Sequence, residues 1–172
     1  MIDFTKLDPL FASKAQELVQ SIRDKGYKIC PYSGVRTVQE QAILWRQSRP
    51  TLIIDQQIAL FRENNCNFLA DVLHNVGPHY GKWATNALPG YSWHNWSQAM
   101  DCLIVEDPAN QEEDPANEYE IYADTAIEFG LTAGYYFRHF DGGHVQLNNK
   151  EIPELYTMKE INDHFNGLSI LE

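Results

Sequence analysis

The chain has 172 residues, 44% hydrophobic and 22% charged, which suits one ordinary globular domain with a core of its own and leaves little room for two. Its 24 acidic residues outnumber 13 basic ones, and a net charge of −11 argues against a surface that collects nucleic acid or an anionic membrane. No run approaches the roughly 20 apolar residues of a membrane helix, and Asp3, Lys6 and Asp8 stand where a leader needs its apolar stretch, so the expectation is cytoplasmic synthesis without a signal peptide.

Over 8–25, Leu10, Phe11, Ala15, Leu18, Val19 and Ile22 recur at helical spacing and Gly26 stops the run, which predicts a first helix. Residues 27–32 are β-prone and precede Ser33-Gly34, a strand ending in a turn. Thr37 can cap a helix from Val38 to about Gln47, with Glu40 completing a capping box. Helical spacing returns over 55–76 through Ile58, Phe61, Leu69, Val72 and Leu73 and ends at Gly77-Pro78, which predicts one or two helices. The run 99–105 is apolar except for Asp101, as in a buried strand with a single charge. Residues 106–117 hold EDPAN twice; this density of Pro, Asn and acids predicts a solvated loop rather than a calcium site, because no EF-hand ladder of ligands is present. A helix over 120–129 ends at Gly130, 131–136 and 144–147 form an antiparallel pair, and 152–171 packs outside as a short helix. The expected class is α+β, a small antiparallel sheet flanked by helices. Cys30, Cys66 and Cys102 lack paired or CxxC spacing and read as small buried hydrophobes.

Two clusters carry chemistry, SWHNWSQAMD at 92–101 and FDGGHVQ at 140–146. A catalytic zinc ion takes three nitrogen or oxygen ligands and leaves its fourth place to water. His94, Asp101 and His144 supply such a set, and a cation would account for the lone carboxylate in an apolar strand. Asp141 precedes His144 by three residues across Gly142-Gly143, close enough to serve as general base for water attacking a peptide carbonyl. On spacing alone the plain alternatives stand beside these: a histidine among tryptophans packed in a core, and an aspartate that only forms a turn.

The clusters resemble the zinc D-Ala-D-Ala carboxypeptidases and L-alanyl-D-glutamate endopeptidases, whose pattern is Ser-x-His-x-x-Gly-x-Ala-x-Asp followed by Asp/Glu-x-x-His. The likeness extends to the phage-endolysin branch through SGVRTVQEQ at 33–41 and TNALPG at 85–90, so it covers most of 8–147. It implies a hedgehog/D-Ala-D-Ala peptidase-like fold and a single zinc peptidase domain over 1–172, with a helical insertion at about 49–84. It implies one Zn2+ per chain on His94, Asp101 and His144, Asp141 as catalytic base, and Arg36 on the substrate carbonyl or oxyanion, a role a fixed guanidinium suits. Ser92, Gln41 and His139 become substrate-binding candidates. The sequence departs from the pattern at Ser97, where the family has glycine, and at Gly142-Gly143, which replaces a bulkier pair and would open that side of the site.

The function so implied is hydrolysis of peptidoglycan stem peptides at the L-alanyl-D-glutamate bond by an endolysin-like monomer that reaches the cell wall after release or delivery. D-Ala-D-Ala carboxypeptidase or dipeptidase action keeps the same chemistry on another bond. A zinc-bearing binding module is the alternative of another class, since the hedgehog signalling domain shares the fold; Asp141 and Arg36 argue against it.

Overall fold

The computed structural model describes residues 2–105 and 115–169. Its elements run α1 (Pro9–Asp24), β1 (Lys28–Ser33), α2 (Val38–Arg46), α3 (Thr51–Glu63), α4 (Asn67–Asn75), β2 (Ala99–Val105), α5 (Pro115–Glu128), β3 (Thr132–Ala133), β4 (His144–Gln146), α6 (Ile152–Leu155) and α7 (Met158–Ser169), with 3-10 turns at Phe4–Lys6 and Gly134–Tyr136. Helices beside one antiparallel sheet make the α+β class expected from the sequence. No helix among the described residues is long and apolar enough to cross a membrane. The chain falls into two compact units, Met1–Val35 with Trp96–Asn149, and Arg36–Asn95 with Lys150–Glu172.

The first unit holds the sheet, in the order β1-β2-β4-β3, every neighbouring pair antiparallel. Its core gathers Phe11, Leu18 and Ile22 of α1, Met100 and Cys102 of β2, Tyr122 and Ala126 of α5, and Val145 of β4. Met100 pairs with Val145 across the β2–β4 ladder and both are fully buried, so the period of two turns Asp101 and its partner His144 to the other face. That face is not buried throughout, contrary to the apolar reading of this strand: Leu103 is 50% exposed, and its partner Cys30 is also exposed and is therefore no core thiol. Strand β3 stops after two residues because the chain tightens into the 3-10 turn at Gly134, whose carbonyl accepts from the Phe137 and Asp141 amides at 3.1 and 3.0 Å. The twin EDPAN stretch lies outside the described residues apart from its last three, which open α5.

The second unit is helical. Thr37 and Glu40 form the expected capping box at α2. Asn65, left-handed at φ 57, breaks the following run into α3 and α4. Ile54, Ile58 and Phe61 of α3 and Leu69 and Leu73 of α4 are buried, with Ile161 and Phe165 of α7, and the Asn162 side chain accepts from the Leu69 amide at 3.1 Å. Arg46 is buried, and its guanidinium donates to the Leu73 carbonyl at the end of α4, at 2.7 Å, where the helix dipole favours a cation. The tail forms two helices, α6 and α7, where one was expected.

Candidate metal centre

Asp101 and His144 meet because they are opposite residues of the β2–β4 ladder, and directly opposed side chains of antiparallel strands start about 5 Å apart. The Asp101 carboxylate lies 2.9 Å from His144 Nδ1, both side chains nearly buried, while Gln146 Oε1 holds Nε2 at 3.0 Å. Burial alone would lower the His144 pKa. The hydrogen bond and charge of Asp101, the Gln146 contact and the charge of Asp141 outweigh it and hold the pKa above the ordinary histidine value.

His94 is fixed by its own segment. The Asn95 amide donates to the Ser92 carbonyl at 2.8 Å, and the Asn95 side chain reaches the Arg36 carbonyl at 2.8 Å and accepts from the Gly90 amide at 3.0 Å. The Arg36 amide in turn donates to the His94 carbonyl at 3.1 Å, and the imidazole is 3% exposed. Gly90 has a left-handed φ of 84, and a Cβ there would lie 2.6 Å from Ile161, which explains the glycine that ends TNALPG. Upstream, Arg49 stacks between Trp45 and Trp83 at 4.1 and 3.9 Å and donates to the Thr85 carbonyl at 2.8 Å.

His94, Asp101 and His144 each offer one donor atom, and the three atoms lie within 4.8 Å of one another. Two imidazoles and a carboxylate form the donor set that zinc takes in catalytic sites, so these three residues are the ones that would hold the ion. Gln146 on the far nitrogen of His144 is the outer partner that fixes such a ligand's tautomer. Cys102, next along β2, is not a competing ligand: it points to the core, and burial pushes its thiol up to about 12.

Asp141 is exposed, three residues before His144 in a turn closed by the His144 amide donating to the Asp141 carbonyl at 3.1 Å. The glycines beside it serve close approach rather than unusual φ. A Cβ on Gly143 would sit 2.4 Å from the Cys102 carbonyl oxygen, one on Gly142 2.8 Å from the Phe140 ring, and one on Gly134 2.6 Å from the Asp141 carbonyl oxygen. The space of the missing side chains at 142 and 143 is thus taken up, and the pair does not open that side of the site as the sequence reading held.

Arg36 is half-buried and donates to Gln41 Oε1 at 2.9 Å. Gln41 itself is fully buried, its Nε2 donating to the Ala87 carbonyl at 2.8 Å while its Oε1 accepts from Arg36. Ser92 is half-buried and His139 fully on the surface of the loop leading to Asp141; neither joins the converging donors. Sequence reasoning missed Gln146 and Gly134. A polar residue alternating with His144 on a short strand was the available signal for the first, and nothing in the sequence marked the second.

The family model VanY, D-alanyl-D-alanine carboxypeptidase, matches residues 5–147. No curated protein matches the chain. Among solved structures, a variant of the vancomycin-resistance D,D-pentapeptidase VanY from a VanB-type cassette, in complex with Zn(II), is 16% identical with a TM-score of 0.47, over 93% of this chain and 78% of that one. The LdcB LD-carboxypeptidase is 17% identical with a TM-score of 0.47, over 92% of this chain and 64% of that one. DacB from Streptococcus pneumoniae is 18% identical with a TM-score of 0.48, over 92% of this chain and 72% of that one.

Proposed function

We propose, for a chain that belongs to the VanY D-alanyl-D-alanine carboxypeptidase family, that it is a zinc-dependent peptidase of peptidoglycan stem peptides cutting the L-alanyl-D-glutamate bond. The observation that carries the zinc chemistry is the convergence of His94, Asp101 and His144, with a carboxylate, Asp141, one turn before the last of them. The bond is supported by SGVRTVQEQ and TNALPG, segments that resemble the endolysin branch. The family's description favours a second reading, removal of a terminal D-alanine.

His94, Asp101 and His144 would hold the zinc, which when bound would supply Lewis-acid polarisation and acidify water toward a pKa of about 7. Asp141 accepts a proton from the water as its oxygen bonds to the scissile carbonyl carbon, then returns that proton to the departing amine nitrogen as the C–N bond breaks. Its exposure suits this exchange, since both substrate and water can reach it. Arg36, held by Gln41, takes the negative charge that develops on the carbonyl oxygen. Ser92 and His139 are assigned to substrate binding, and Gln41 acts through Arg36.

The test is digestion of purified peptidoglycan by the wild type and by Asp141→Ala, with and without chelator and added zinc, read by mass spectrometry. New amino-terminal D-glutamate from the wild type, lost with chelator and reduced at least about 100-fold in the variant at unchanged zinc content, is the expected result. Release of D-alanine alone moves the substrate to the second reading. Absence of any metal-dependent product sinks the peptidase reading.

A further inference from the structure

Strand β1 carries an irregularity at the point nearest the metal ligands. Pro31 pairs with Cys102 and Ser33 with Asp101, so the chain between them has one residue more than its partner and Tyr32 is the extra one. Such a bulge sets two residues, Tyr32 and Ser33, against the single Asp101, and bulges beside sites re-aim a side chain that regular pleating would direct elsewhere. Pro31 is buried and Tyr32 exposed, which puts the phenol on the Asp101 and His144 side of the sheet and away from the core. There it is 55% exposed, so its aromatic ring and hydroxyl both meet solvent.

We propose that Tyr32 is a substrate-binding residue of the metal centre, its phenol O–H donating a hydrogen bond to a backbone carbonyl oxygen of the peptide. This rests on the peptidase reading above and adds a residue to it. The bulge, the exposure and the cross-strand position carry the assignment. The electrostatic surroundings agree: burial first, then the charges of Asp101 and Asp141, raise the phenol's pKa, so it stays a neutral donor. A lysine here would ion-pair with the acids that the reaction needs, whereas a neutral hydroxyl leaves them available.

The experiment compares wild type, Tyr32→Phe and Tyr32→Ala on soluble disaccharide-peptide fragments of peptidoglycan, with products read by mass spectrometry and kcat, KM, zinc content and Tm measured for each. Expected is a KM raised about three- to tenfold in Tyr32→Phe, the range of one lost hydrogen bond, and further in Tyr32→Ala. Zinc content and Tm stay at the wild-type values and kcat within about twofold, because an exposed side chain outside the donor set contributes to neither. Turnover by the wild type with KM unchanged in both variants overturns the Tyr32 assignment and leaves the peptidase reading intact. Loss of zinc in Tyr32→Phe overturns it too, by making the role one of metal retention. A wild type that cleaves no fragment sinks the peptidase reading and this inference together.

Discussion

Gln146 shows how much of the centre depends on a residue that would touch neither metal nor substrate. Its Oε1 accepts from His144 Nε2 at 3.0 Å and its Nε2 donates to the Asn148 carbonyl at 2.6 Å, so the amide cannot flip without losing both bonds. Gln146→Ala frees the His144 ring, and zinc affinity, measured by competition with a chromogenic chelator, is expected to fall about 10- to 100-fold. Ser97 is the complementary case, a side chain where the fold prefers none. It holds φ 61 while its carbonyl accepts from the Asp8 amide at 2.9 Å, so the backbone keeps a left-handed conformation that a glycine would adopt freely. That conformation costs a non-glycine residue about 1–2 kcal/mol, partly offset by the greater chain entropy of an unfolded glycine. Ser97→Gly is therefore expected to stabilise the protein by roughly 0.5–1 kcal/mol, seen as a higher urea midpoint at unchanged slope. The departure at 97 was plain in the sequence; that it meant strain needed the dihedral.

At the scale of elements, the β2–β4 ladder does the work of bringing residues 43 positions apart to 2.9 Å. The ladder reaches its last register through Gly143, whose carbonyl accepts from the Cys102 amide at 2.9 Å and whose missing Cβ makes way for the Cys102 oxygen. Gly143→Ala forces that backbone apart, with an expected loss of about 1–3 kcal/mol and weaker zinc binding, since His144 shifts with the turn. Gly142→Ala is the control: its clash is with the tip of the Phe140 ring, which is 66% exposed and can swing away, so thermal unfolding should move little. Much of the element layout was legible beforehand, α1, α2 with its capping box, β2 and the β3–β4 pair among it, because helical periodicity and caps are local signals. The shortness of β3 was not, nor was the choice between one helix and two over 55–76, because a 3-10 turn and one left-handed asparagine decide them.

For the whole molecule, zinc and protons compete for one imidazole. In metal-free protein the raised pKa of His144 means that its imidazolium, paired with Asp101, stabilises the fold below the unfolded value of about 6.5 and that this contribution is lost as pH rises through the folded value. Zinc needs the neutral ring, so its affinity climbs over the same rise. The gap in Tm between zinc-loaded and chelator-treated protein is thus expected to widen with pH from about 6 upward, reaching roughly 5–10 °C where free zinc is 100 times its Kd. A gap that narrows over this range would contradict a zinc site at His144. The sequence by itself determined the fold class, through apolar periods that survive without knowledge of distant partners, and the family, through the resemblance of its motifs, while spacing alone left the donors beside plainer readings. Only the tertiary structure decided that Asp101 faces His144 in register, that Gln146 backs the ring, that Gln41 is buried and bonded to Arg36, and that Tyr32 bulges opposite Asp101. Those are contacts between residues far apart in the chain, and strand register and backbone dihedrals, which fix them, leave no local mark on composition.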